Sequence, residues 1–184
     1  MKRIITLILV LAVAVCSVAS LSACTNGEYK KIGLSFYLPN DFEERTVRGC
    51  DYVSSNGEAE FTINAHSYET LKSATDDSGN YKGAWPTDVY SYARKFCQEN
   101  GISFDKYTFD KDKNVADVKF VFDYPEVDEE GNALDIESEY CHYVVMDNGE
   151  AIYVISYSCR VSLMDTYKPL FDEWATKLVL DKVA

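Results

Sequence analysis

Two strand-like stretches, Glu137 to Met146 and Ala151 to Cys159, flank the turn signal Asp147-Asn148-Gly149, and no other feature limits the fold so strongly. A three-residue loop with glycine in the left-handed position would pair Met146 with Glu150 and Cys141 with Ile155. One face then carries Cys141, Tyr143, Val145, Tyr153, Ile155 and Tyr157. The other carries Tyr140, His142, Val144, Met146, Ile152 and Val154. Both faces are mostly apolar, so the hairpin belongs inside a sheet covered on both sides.

The rest of the chain supplies partners for it. Ile32 to Leu38 reads as a first strand, ended by Pro39-Asn40-Asp41. From Ala59 to Ser67 the alternation is clean, with Ala59, Phe61, Ile63 and Ala65 on one face. Asn56-Gly57 before it is a tight-turn pair, making Arg48 to Ser54 its hairpin partner. Further strands run over Ser103 to Phe109 and Val115 to Tyr124, and in the second Val118, Phe120 and Phe122 oppose Asp117, Lys119 and Asp123. An acidic loop, Glu126 to Asn132, leads into the last hairpin.

Two helices provide covers. After the polar loop Thr75 to Lys82, a helix opens near Thr87 with Val89, Tyr92, Ala93, Phe96 and Cys97 on one stripe, stopped by Asn100-Gly101. A final helix carries Tyr167, Leu170, Phe171, Trp174 and Leu178, with Pro169 expected in its first turn. The pattern predicts an α+β fold: a central antiparallel sheet of about six to seven strands, covered by helices on both faces. This order resembles the PsbP-like fold of photosystem extrinsic proteins, Ran-binding relatives and many small bacterial lipoproteins. The resemblance is carried by the opening Ile32-Gly33-Leu34-Ser35-Phe36-Tyr37-Leu38-Pro39 strand and by the closing unit Tyr140 to Leu180. It implies a small binding or assembly protein without catalysis, although a fold alone does not fix a function.

The N-terminus reads as an export device. Lys2 and Arg3 precede a twelve-residue run, Ile4 to Val15, that is apolar but for Thr6. Such a run is too short to span a bilayer as a helix and suits the core of a signal peptide. It closes on Leu21-Ser22-Ala23-Cys24, which resembles a bacterial lipobox. The resemblance implies that the Cys24 thiol takes a diacylglyceryl group and that cleavage before Cys24 makes it the N-terminus. Ordinary cleavage after Ala19 or Ala23, releasing a soluble protein, is the alternative. The expected organisation is a signal at 1–23, a lipidated tether at 24–31 and one domain at 32–184. The tether's Lys30 and Lys31 are either in contact with headgroups or simply solvated.

Of the 184 residues, 30 are acidic and 18 basic, a formal charge of −12. Losing the signal removes two basic and no acidic side chains, taking the charge to −14. That excludes a nucleic-acid binder, which needs a basic stripe.

Little in the chain carries catalytic chemistry. Cys16 leaves with the signal, and Cys50, Cys97, Cys141 and Cys159 contain no Cys-x-x-Cys pair. Buried thiols and a disulfide both remain open for these four, with Cys97, Cys141 and Cys159 on apolar stripes. His142 follows Cys141, but strand neighbours point to opposite faces, so His142 reads as a packed core residue and His66 as a solvated one. No metal site or cofactor is expected: Asp110 to Asn114 starts like a calcium loop, yet Val115 and Val121 stand where glycine and the bidentate acid belong. Tyr52, Tyr68, Tyr81 and Tyr90 are candidate ligand contacts if they converge, since a tyrosine stacks and hydrogen-bonds at once.

The expectation is a membrane-anchored envelope lipoprotein, held by lipid on Cys24 at the extracytoplasmic face of a bacterial cell membrane. It would act as a non-catalytic binding or assembly accessory to an envelope protein or cell-wall component. The alternative is an exported hydrolase with an unrecognised site, which requires a deep pocket with at least two convergent polar groups.

Overall fold

The computed structural model describes residues 26–73, 83–127 and 133–182. Ten strands form two antiparallel sheets. A seven-stranded sheet has the order β3-β4-β5-β9-β8-β7-β6 and a three-stranded sheet the order β1-β2-β10. The larger contains β3 (Glu43–Arg45), β4 (Tyr52–Ser55), β5 (Ala59–Ser67), β6 (Tyr107–Asp110), β7 (Val115–Val127), β8 (Ala133–Asp147) and β9 (Ala151–Arg160). The smaller contains β1 (Asn26–Lys31), β2 (Leu34–Pro39) and β10 (Val179–Leu180). Three α-helices, α1 (Tyr68–Lys72), α2 (Val89–Glu99) and α3 (Met164–Ala175), and two short 3-10 turns complete the described elements.

The β8–β9 hairpin sits inside the sheet, but in a different register from the expected one. Met146 pairs with Tyr153 and Cys141 with Ser158. The turn is centred on Gly149-Glu150, closed by the Asn148 amide donating to the Ala151 carbonyl at 3.3 Å. Asn148 Oδ1 also accepts from the amides of Glu150 and Ala151. Glycine takes the first central position with φ +99°, as a two-residue loop requires. Moving the turn centre shifts the register by an odd number of residues and turns β9 over. Tyr140, His142, Val144 and Met146 therefore share a face with Tyr153, Ile155, Tyr157 and Cys159. The same tetrapeptide closes β4–β5: in Asn56-Gly57-Glu58-Ala59 the Asn56 side chain accepts from the Glu58 and Ala59 amides.

Adjacent residues of β8 belong to different cores. Val144 joins a cluster with Phe61, Tyr157, Phe171 and Trp174, and Val145 joins one with Val89, Tyr92, Ala93 and Val154. The first cluster also contains Leu34, Phe36 and Leu38 of β2. The cover on that face is thus α3 together with a second sheet, where the sequence pattern suggests a helix alone.

That second sheet exists because Asn26–Lys31, the described part of the expected tether, is a strand. β1 pairs with β2 from Asn26↔Pro39 to Lys31↔Leu34 through a turn at Ile32-Gly33. Both turn residues have positive φ, +46° and +79°, matching the twist of the flanking strands. A β-branched residue rarely adopts that conformation, which hides Ile32 as a turn former. Lys30 and Lys31 lie at the far end of β1 from Asn26, paired with Asp181 at 2.7 Å and Glu44 at 2.8 Å.

Helix α2 follows its pattern: Asp88 caps it by accepting from the Ser91 amide at 2.8 Å. At its end the Gly101 amide donates to Gln98 and the Ile102 amide to Cys97, a Schellman stop. Helix α3 starts earlier than the proline suggests. A 3-10 turn at Val161–Leu163 runs into Met164, which places Pro169 inside the helix rather than in its first turn. Ser103 to Lys106 is likewise not strand: a 3-10 turn at Phe104–Lys106 precedes β6.

Candidate functional site

On the α3 side of the sheet, polar residues of β7 meet His142 of β8. Lys119 of β7 lies opposite His142 of β8, and His142 opposite Tyr157 of β9. Asp117 lies two residues along β7, so it projects to the same face as Lys119. The His142 side chain is 1% exposed, with Nε2 at 2.8 Å from Asp117 Oδ1 and Nδ1 at 3.6 Å from Asp172 Oδ1. Lys119 Nζ donates to Asp172 Oδ1 at 2.7 Å, and Lys168, one turn earlier on α3, approaches the other oxygen at 3.4 Å.

The charges organise one another. Partial burial would raise the Asp172 pKa, but the Lys119 hydrogen bond and charge, with Lys168 and His142, hold it below the usual carboxylate range. Nδ1 of His142, Oη of Tyr140 and Oη of Tyr157 are buried without a hydrogen-bond partner among the described residues. Burial pushes the Tyr140 hydroxyl up to about 12 and the Tyr157 hydroxyl higher still. A cleft of about 710 Å³ opens onto Asp117, Lys119, His142 and Asp172, walled by Val144 and Leu178. Pockets of this size hold small ligands when a few polar groups converge on an apolar wall.

An acid–base pair needs a nucleophile or a substrate within reach. Cys141 follows the other face of β8, and burial with Glu139 and Cys159 nearby pushes its thiol up to about 12. Cys159 is held at about 11 by burial and Glu139. Neither is a thiolate near neutrality. Cys97, Cys141 and Cys159 are buried free thiols, and Cys50 is a half-buried one. The new register puts Cys159 opposite Tyr140, so Cys141 and Cys159 lie on opposite faces of the sheet.

The four tyrosines do not form one site. Tyr52 packs between Phe36 and Phe61 in the core beneath β2. Tyr68 packs against the α2 core instead and donates to Asp147 Oδ1 at 2.6 Å; burial and that carboxylate raise its pKa to about 12. Tyr90 lies on α2 against Tyr107 and Phe109, with the Arg94 guanidinium over its ring. Tyr81 and Cys24 fall outside the described residues. His66 is half-buried and stacked on Tyr92 rather than solvated, and burial lowers its pKa.

Asp110 to Asn114 is the turn between β6 and β7: Asp110 Oδ1 accepts from the amides of Asp112 and Lys113. Among the described residues no group of three His, Cys, Asp or Glu side chains is placed to hold a metal ion, and no helix is long and apolar enough to cross a membrane. The Asp117–His142–Asp172 arrangement escapes sequence reading because Asp172 lies on a helix 30 residues beyond His142. The one available signal was that Asp117 and Lys119 lie on the polar side of an otherwise apolar strand.

No protein-family model matches the chain, and none of the curated proteins does. Solved structures do. The solution structure of cyanobacterial PsbP (CyanoP) from Synechocystis sp. PCC 6803 is similar with a TM-score of 0.52 at 14% identity, over 86% of this chain and 94% of that one. The Ran-binding protein Mog1p of Saccharomyces cerevisiae gives 0.50 at 11%, over 87% and 97%. A Bacteroides thetaiotaomicron protein gives 0.50 at 15%, over 84% of this chain and about half, 48%, of that one. At such identities the likeness shows architecture alone, and the architecture is the PsbP/Mog1-like α+β fold.

Proposed function

We propose that the chain is a lipid-anchored extracytoplasmic protein whose folded domain acts as a non-catalytic binding or assembly accessory for an envelope protein or cell-wall component. The observation that carries this reading is Leu21-Ser22-Ala23-Cys24 at the end of a short apolar export segment. Two acyl chains on Cys24 supply the stable anchoring that one chain does not. With β1 starting at Asn26, only Thr25 separates the lipidated residue from the fold. Two residues reach roughly 7 Å, so the domain rides directly on the headgroups at the Asn26–Pro39 end of the small sheet. Lys30 and Lys31 are at the other end of β1 and take no part in anchoring.

The non-catalytic half of the reading is supported by the His142 cluster. Its carboxylates are matched by His142, Lys119 and Lys168, and the sheet separates it from the Cys141 thiol. Fractionation of cells expressing the wild type and Cys24→Ala tests the anchor. The wild type is expected in the membrane fraction and the variant outside it or uncleaved; equal distribution would refute the anchor.

The cleft beside Asp117 and His142 also favours a second reading, an exported hydrolase, because convergent polar groups are what that reading requires. Ester, amide and phosphoester substrates assayed with the wild type and His142→Asn separate the two. Turnover abolished by the substitution would establish the hydrolase.

A further inference from the structure

The chain has two histidines, and His142 is the one that lies between the sheet and a helix. Its side chain is 1% exposed, and each ring nitrogen faces a carboxylate from a different element. Nε2 lies 2.8 Å from Asp117 Oδ1 of β7, and Nδ1 lies 3.6 Å from Asp172 Oδ1 of α3. The first contact is a hydrogen bond and the second is too long for one, so Nδ1 is buried without a partner.

These two contacts fix the tautomer of the neutral ring. A carboxylate accepts and does not donate, so Nε2 carries the N–H. A neutral imidazole has only one, which leaves a lone pair on Nδ1 directed at Asp172. Neutral His142 therefore ties β8 to β7 but does not tie either strand to α3. A second proton turns Nδ1 into a donor aimed at an acceptor that is already in place. Charge-assisted N–H···O contacts close to about 2.8 Å, so α3 has to approach by only about 0.8 Å.

The surroundings accept that charge. A buried imidazolium is tolerated where it is paired, and here both nitrogens face carboxylates. Lys119 of β7 and Lys168 of α3 are both turned to Asp172. The hydroxyls of Tyr140 on β8 and Tyr157 on β9, and the Cys159 thiol, are held neutral on this face by burial. Around the cleft stand Asp110, Asp112 and Lys113 of the β6–β7 turn, Asp147 of β8, and Lys182. With Asp117, Asp172, Lys119 and Lys168 these make five carboxylates against four lysines. One proton on His142 closes that difference.

We infer that His142 is a proton-operated latch between the sheet and α3. Protonated, it donates from Nδ1 to Asp172 and draws α3 onto β7 and β8; neutral, it releases that contact and leaves Asp172 to the lysines. Asp172, Ala175 and Thr176 line one side of the cleft, so the latch narrows the cleft in weakly acidic surroundings and relaxes it in neutral ones. The latched form binds the proton more tightly, so latching grows as pH falls through the imidazole range, between about pH 8 and 5. It ends where Asp172 is itself protonated, below its ordinary 3.8. The inference goes beyond both functional readings and holds whether the cleft takes a ligand or a substrate.

The test uses the full-length product in neutral detergent with isotope-labelled histidine. Long-range proton–nitrogen NMR spectra show which ring nitrogen carries hydrogen. Amide hydrogen exchange reports on α3, expressed as protection factors so that the intrinsic effect of pH cancels. The neutral ring is expected to carry its hydrogen on Nε2. From about pH 8 to 5.5, protection of the α3 amides beyond Pro169 should rise about tenfold relative to those of β5. Asp172→Asn should abolish the rise and weaken proton binding by His142 about tenfold. The Asp172 side chain is 37% exposed, so this variant reads the latch where His142→Asn fails to fold. His66→Gln should leave the rise intact. A neutral ring with its hydrogen on Nδ1 overturns the inference, because Asp172 would then have its donor at every pH. So does α3 protection that stays flat across this range. A rise that survives Asp172→Asn also overturns it, since the titrating contact would lie elsewhere.

Discussion

Replacing Phe36 with alanine asks whether the three-stranded sheet is part of the core or an appendage to it. Phe36 is fully buried and touches three rings: Phe61 at 4.7 Å, Tyr52 at 5.4 Å and Tyr29 at 5.6 Å between centroids. Two of those rings belong to the seven-stranded sheet, so the side chain ties one sheet to the other. Withdrawing a phenylalanine from water is worth about 2–3 kcal/mol. The lost ring contacts and the cavity left between two rigid sheets bring the expected cost to about 4 kcal/mol, within the range for buried Phe→Ala changes. A domain of this size loses roughly 2–4 °C of Tm per kcal/mol, so Phe36→Ala should melt about 8–16 °C below the wild type. Circular dichroism gives the melt, and hydrogen exchange shows where protection is lost. The account expects one cooperative transition, with α3 and β1–β2 losing protection together. A loss under about 1 kcal/mol, or loosening of β1–β2 amides alone, would show that the small sheet merely rests on the domain.

Three further outcomes follow from the same geometry. In a thiol-labelling assay Cys50 should react first, and Cys97, Cys141 and Cys159 at least about tenfold more slowly until the protein is unfolded, because burial raises their pKa values; fast labelling of Cys141 would contradict this. Asp172 has a folded pKa below its ordinary 3.8, so the stability it confers is present above that value and is lost as pH falls through the lower folded one. Acid unfolding curves should therefore separate wild type from Asp172→Asn at neutral pH and converge below pH 3.8, and curves that diverge instead would refute the ion-pair assignment. Gly149→Ala places a side chain at φ +99° with nothing within 4 Å of it, so its cost is backbone strain alone. Chemical denaturation should show a loss of about 1–2 kcal/mol, and an unchanged midpoint would mean that the turn is centred elsewhere.

Periodicity made most of the fold legible, and it failed where backbone conformation rather than side-chain pattern decides. The stripes of α2 and α3, the alternation of β5 and the central place of the β8–β9 hairpin follow directly from apolar spacing. The hairpin register does not, because Asp147-Asn148-Gly149-Glu150 supports loops whose centres lie one and a half residues apart, and the resulting three-residue shift in pairing inverts an entire strand. β1 was hidden because its outward positions, Glu28 and Lys30, are charged and only Tyr29 stacks inward on Phe36. Its turn also depends on an isoleucine in a glycine-like conformation. The His142 cluster was half visible. The strand parity that separates Cys141 from His142 was readable, but the carboxylate supplied by α3 became apparent only once the helix lay across the sheet.

The mass of the mature N-terminal peptide tests the central claim most directly. The account predicts a chain beginning at Cys24 and carrying a diacylglyceryl group on its thiol, with Thr25 and Asn26 next in sequence. A mature chain beginning at Ser20, or at Cys24 with a free thiol, would contradict the anchor.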